Sequence, residues 1–111
     1  MDIPNYIRKE PESLTVSQML DVFHWFRNTW DEYMKAMREY EQLCKYLETH
    51  GDLPEQEWWE KTCELSHAER NVELKHKEYN RARWEFSGTD LWDEYREWKR
   101  NENEWLRKWG K

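Results

Sequence analysis

The chain has 111 residues, of which 38% are charged and 37% hydrophobic, with a formal net charge of −6. That balance argues against general affinity for nucleic acid or anionic membrane, both of which draw on excess Lys and Arg, and no apolar run approaches the ~20 residues of a spanning helix. Nine Trp, six Tyr and three Phe oppose disorder because each buries a large apolar area, while only three Gly and three Pro favour long helices over a turn-rich β fold.

The length is that of one domain with one modest core. Residues 1–14 contain Pro4 and Pro11 and show no sustained period, which predicts an irregular arm. They also lack the basic-then-apolar order of a signal peptide, so a soluble cytoplasmic protein is expected. Cys44 and Cys63 are too few for a disulfide framework and read as free thiols.

The first helix is expected over about 15–50. Thr15 and Gln18 have the spacing of a capping box. From there Val16, Phe23, Trp30, Met37 and Cys44 recur every seven residues, as do Met19, Phe26, Tyr33, Tyr40 and Leu47. Five heptads of apolar or aromatic a and d positions describe a coiled-coil-like seam about 50 Å long. Gly51 suits a left-handed helix stop.

The second helix is expected over about 53–87, opened by Asp52, Pro54 and Glu55. Its seam is Trp58, Leu65, Val72, Tyr79 and Phe86, with Ala68 and Ala82 at d positions. Lys61 and Lys75 hold the other d positions and make this stripe wetter. Trp59 is turned off the seam by one position. Gly88 is expected to close the second helix and Thr89 to cap a third helix, expected over about 90–109, with Leu91, Tyr95, Trp98, Trp105 and Trp109 on one face and Glu102 interrupting it.

Short connections make successive helices antiparallel neighbours. The expected fold is all-α: a long antiparallel helical hairpin with a shorter third helix on one end, making a three-helix bundle there. Residues 40–65 would remain a bare two-helix hairpin. Trp25 and Trp84, off the seam at the covered end, are expected to be buried by the third helix together with Trp92.

Charge is unevenly placed. Residues 39–64 hold eight acidic groups against Lys45 and Lys61, which accounts for the whole net charge of −6. An exposed Trp beside such a cluster has the character of a binding hot spot. The expected partner-binding residues are Trp59, Glu48, Asp52, Glu55, Glu57 and Glu60, directed at a protein with a basic surface. A second copy of the chain, meeting the bare hairpin, is the self-associating alternative. Nucleic acid is a further alternative, through Arg81, Arg83, Arg96, Lys99, Arg100, Arg107 and Lys108, which interleave with aromatics as in single-strand binders.

Chemistry finds little footing. Glu64 with His67 and Glu73 with His76 have the Glu-x-x-His spacing of di-iron bundles, but both pairs lie on one helix and on different faces of it. Cys44, His50, Cys63 and His67 lack the local spacing of a zinc set. No glycine-rich phosphate loop or nucleophile elbow occurs. No enzyme activity, metal or cofactor is expected. In size and charge alone the chain resembles small acidic helical proteins of phage origin that block host defence machinery, anti-CRISPR proteins included. That likeness implies an inhibitor or regulator of a nucleic-acid-handling protein.

Overall fold

The computed structural model describes residues 3–110. The fold is all-α, with helices α1 (Val16–Thr49), α2 (Glu55–Ser87), α3 (Leu91–Arg100) and α4 (Glu102–Trp109), preceded by a 3-10 turn at Pro11–Ser13. Helices α1 and α2 form a hairpin-like pair and α3 and α4 a second pair. The expected three-helix bundle is therefore corrected to four helices.

The break falls at Asn101, whose backbone is extended at φ −154° and ψ 97°. Its side-chain Oδ1 accepts from the Glu104 backbone N–H at 3.2 Å, making it the N-cap of α4. Asn competes with helical backbone bonding and prefers such caps. Lys99 and Arg100 sit in the last turn of α3, and Glu102 and Glu104 in the first turn of α4, each of the sign that its helix end favours.

The caps of the long helices divide in the same way. Thr15 and Gln18 form the expected box, with Gln18 N donating to Thr15 Oγ1 at 3.1 Å and Thr15 N to Gln18 Oε1 at 3.0 Å. Gly51 does not take a left-handed conformation, since no described glycine has positive φ. Helix α1 is closed instead by side chains: Thr49 Oγ1 donates to the Lys45 carbonyl at 2.9 Å, and His50 Nδ1 donates to the Tyr46 carbonyl at 2.9 Å. Thr89 likewise closes α2, its hydroxyl donating to the Phe86 carbonyl at 2.7 Å, rather than capping α3.

The chain groups into two compact units. The first comprises the residues up to Asn28 and those from Asn80 onward. Its core is aromatic. Phe23 is fully buried, with the rings of Tyr95, Trp98 and Trp105 at 5.7, 5.3 and 5.2 Å. Phe86, also fully buried, meets Phe26, Trp92 and Tyr95 at 5.2, 5.3 and 5.4 Å. Tilted and edge-on pairs of this kind add about 0.5–1.5 kcal/mol each beyond the area they bury. Ile7, Pro11 and Leu14 of the arm are buried too, and Arg8 donates to Glu85 at 2.6 Å.

Trp25 is buried as expected, and its indole N–H has no hydrogen-bond acceptor among the described residues. Trp92 is half-buried. Trp84 is not covered: 81% of it is exposed. Its heptad position points away from the a/d seam, and α3 packs its Tyr95 and Trp98 rings on Phe23 and Phe26 instead.

The second unit is Thr29–Tyr79, the distal stretches of α1 and α2 with their connection. It is thin. Thr29 and Ala36 are buried, but no residue from Met37 to Arg81 is. Contacts between its two helices are half-exposed pairs: Tyr33 stacks on His76 at 5.0 Å, and Trp30 meets Tyr79 at 5.0 Å. Lys75 donates to Glu32 across the pair and to Glu78 on its own helix, each at 3.3 Å. Burial opposes its charge, but these two bonds outweigh it and raise the Lys75 pKa.

Candidate functional site

The acidic residues cluster at the end of the Thr29–Tyr79 unit, where α1 stops and α2 starts. Glu48 lies in the last turn of α1, Asp52 in the connection, and Glu55, Glu57 and Glu60 in the first turns of α2. All five are exposed. Helix α2 begins at Glu55, with Trp58 N donating to the Pro54 carbonyl at 2.9 Å, so the cap falls on Pro54 and not on Asp52. Glu55 and Glu57 then face unpaired N–H groups at a positive helix end, which favours their charge.

Both tryptophans of this turn are open to solvent. Trp59 is 62% exposed, and Trp58, expected on the seam, is 43% exposed. The reason is geometric: a seam side chain in a two-helix pair has one neighbouring helix, and at the first turn of α2 the facing residues of α1 are themselves only half-buried. Two adjacent indoles thus stand among carboxylates, each presenting a large apolar surface that water solvates poorly.

A groove of about 620 Å³ lies between α1 and α2, lined by the apolar Leu43, Tyr46 and Ala68 and by side chains of both signs, Glu39 and Glu64 with Lys61 and His67. Tyr46 is held on both sides. His50 stacks on its ring at 4.0 Å and 14°, and the Lys61 ammonium lies 5.1 Å from its centroid. Lys61 also donates to Glu64 at 3.2 Å. One of the two lysines in the acidic segment is therefore already paired inside it. Nearby, the Tyr40 phenol is raised by its hydrogen bond with Cys44 and by the charges of Cys44 and Glu69. Sequence periodicity missed Trp58 and the groove, because it orients side chains without stating how deep a two-helix seam is.

The cations of the alternative reading all lie in the other unit. Arg81, Arg83, Arg96, Lys99, Arg100, Arg107 and Lys108 are all exposed. Lys108 is engaged by Glu97 at 3.2 Å and Glu94 at 3.5 Å, and those carboxylates raise its pKa against the opposing effect of burial. Asp93 and Glu97 lie among Arg96 and Arg100 on α3. Charge here is mixed.

Cys44 is half-buried and Cys63 exposed, and both are free thiols. Among the described residues, no group of three or more His, Cys, Asp or Glu side chains converges as a metal ion would require. No helix of the described residues is long and apolar enough to cross a membrane. Comparison with protein-family models, curated proteins and solved structures finds no match. The functional reading rests on the residues themselves.

Proposed function

We propose that the chain is a non-enzymatic, cytoplasmic protein-binding module whose acidic, Trp-bearing hairpin end is the recognition surface. The observation that carries this is the pair Trp58 and Trp59, consecutive and 43% and 62% exposed, in a turn that also presents Glu55, Glu57 and Glu60. Exposed tryptophan dominates interface energetics out of proportion to its frequency. The surrounding carboxylates steer association toward a basic surface and reject acidic ones. A protein that handles nucleic acid has such a surface, and the likeness in size and charge to phage anti-defence proteins points to an inhibitor or regulator of one.

The test is affinity capture from the native host with mass spectrometry, using the wild-type chain, Trp59→Ala and a Glu55/Glu57/Glu60→Lys variant. The expected result is a captured protein that both variants lose while keeping wild-type helicity by circular dichroism. Capture that is unchanged in both variants removes the hairpin end as the site. Salt-dependent binding of a short oligonucleotide, lost on reversal of Arg81 and Arg83, would favour the nucleic-acid reading instead.

A further inference from the structure

One exposed stripe of α2 runs through Glu60, Cys63, His67 and Arg70, at intervals of three, four and three residues. Those intervals set successive side chains on one helix face, and His67 stands where that face meets the groove. Cysteine is among the residue types most often buried, so a free thiol open to solvent is itself informative. Cys63 and His67 are four residues apart, with Cβ atoms about 5–6 Å from each other, the spacing at which two helical side chains hold one metal ion. A thiolate and an imidazole are donors that suit a borderline-soft ion such as Zn²⁺. Neither side chain is taken up by a hydrogen bond or ion pair among the described residues.

One chain supplies half of a tetrahedral set, and among its described residues no group of three or more such side chains converges. The order of the stripe supplies the other half by symmetry. A two-fold axis midway between Cys63 and His67 lays a second α2 antiparallel on the first, bringing Cys63 of one copy beside His67 of the other. The same operation sets Glu60 of each copy against Arg70 of the other, and neither has an ion pair among the described residues of its own chain. We propose that a zinc ion joins two copies of this chain through Cys63 and His67 of each, with the Glu60–Arg70 pairs fixing the register. Each thiol releases its proton to solvent as the ion sheds its water. The proposal goes beyond the reading of the hairpin end as a protein-recognition surface and does not depend on it.

Magnitude makes the ion obligatory. A single helix stripe is far smaller than the roughly 1,200 Å² of a stable interface, even with Leu74, four residues beyond Arg70 and 54% exposed, adding apolar surface. Residues 39–64 of each copy also carry a net charge of −6, which repels a second copy. The metal bonds supply what the contact area lacks, and the charge of the ion offsets the carboxylates around it. Without the ion the chain is a monomer.

The experiment is sedimentation velocity on the full chain with zinc chloride or with EDTA, in a phosphine reductant that keeps disulfides from forming, alongside titration with cobalt(II). The wild-type chain is expected to be a monomer in EDTA and a dimer in zinc, with one ion per pair of chains, and cobalt is expected to give a sulfur-to-metal charge-transfer band. Cys63→Ser and His67→Ala each stay monomeric in zinc, while Cys44→Ser dimerises as the wild type does. Arg70→Glu alone loses most of the dimer, and Glu60→Arg/Arg70→Glu, which restores opposite signs across the axis, regains it. A wild-type chain that stays monomeric in zinc overturns the proposal. So does a dimer that persists in EDTA, or a Cys63→Ser variant that still dimerises.

Discussion

Trp105 donates its indole N–H to Oε2 of Glu94 at 2.9 Å, joining α4 to α3 across the break between them. The same oxygen receives the Trp109 indole at 2.8 Å. Trp105 is fully buried, so loss of the acceptor strands a donor away from water. Glu94→Ala should lower unfolding free energy by about 2–3 kcal/mol, a range set by the cost of an unmade bond to a charged group. Urea unfolding measures it, and a change below about 0.5 kcal/mol would show the bond to be dispensable.

Trp25 is the counterpart, a buried indole whose N–H has no acceptor among the described residues. Replacement by Phe removes an unsatisfied donor, worth about 1–3 kcal/mol, and offsets much of the packing lost with the smaller ring. Trp25→Phe should therefore stay within about 1 kcal/mol of wild type, while Trp105→Phe costs about 2–4 kcal/mol. Equal losses in the two variants would contradict this.

Phe23 and Trp84 set the extremes of apolar burial. Phe23→Ala empties the centre of the aromatic core and should cost about 3–5 kcal/mol. Trp84→Ala should change stability by no more than about 0.5 kcal/mol, because the side chain already faces water. Melting temperatures of the two variants are enough to separate these cases.

Asn101→Ala removes the cap of α4 and should destabilise by about 1 kcal/mol. Asn101→Asp keeps an acceptor for the Glu104 N–H and should retain most of the stability. If both variants match wild type, the extended geometry at this position owes nothing to the cap.

Stability should also fall at alkaline pH. Tyr6 is raised above 10.0, by burial first and then by Asp21, which accepts its hydroxyl at 3.2 Å. Tyr40, Lys75 and Lys108 are raised as well. A group with a higher pKa folded than unfolded contributes fully below its unfolded value and loses that contribution as pH rises through the folded one. All four act in one direction, so the urea midpoint should decline from about pH 10 upward. Lys75→Met should flatten part of that decline. A midpoint constant between about pH 8 and about pH 11.5 would contradict it.

Much of the helical layout was legible. The seven-residue recurrence from Val16 to Leu47 and the Thr15–Gln18 box place α1 at Val16–Thr49, and the seam from Trp58 to Phe86 places α2 at Glu55–Ser87. The break at Asn101 was masked by Trp98 and Trp105, which are seven residues apart and read as one continuous stripe. Asn101 and Glu104 have capping spacing, but that signal is shorter than the stripe it interrupts. Trp58 and Trp84 show a second limit. Heptad phase gives the direction of a side chain and leaves open what lies in that direction, which for Trp84 depends on where α3 packs and for Trp58 on how deep the two-helix seam is. The acidic cluster was visible from charge alone, whereas its groove required the pairing of α1 with α2.

The fading of burial along α1 has a kinetic meaning. Met19, Val22 and Phe23 are sealed, Ala36 is the last buried residue of the helix, and Leu43 to Leu47 are at best half-covered. Amide protons near Phe23 should exchange with solvent only through global unfolding, and those beyond Met37 through local opening at much lower cost. One uninterrupted helix thus carries a rigid anchor and a pliable end. The pliable end holds the exposed carboxylates, so its backbone can adjust to a bound surface while the aromatic core stays shut.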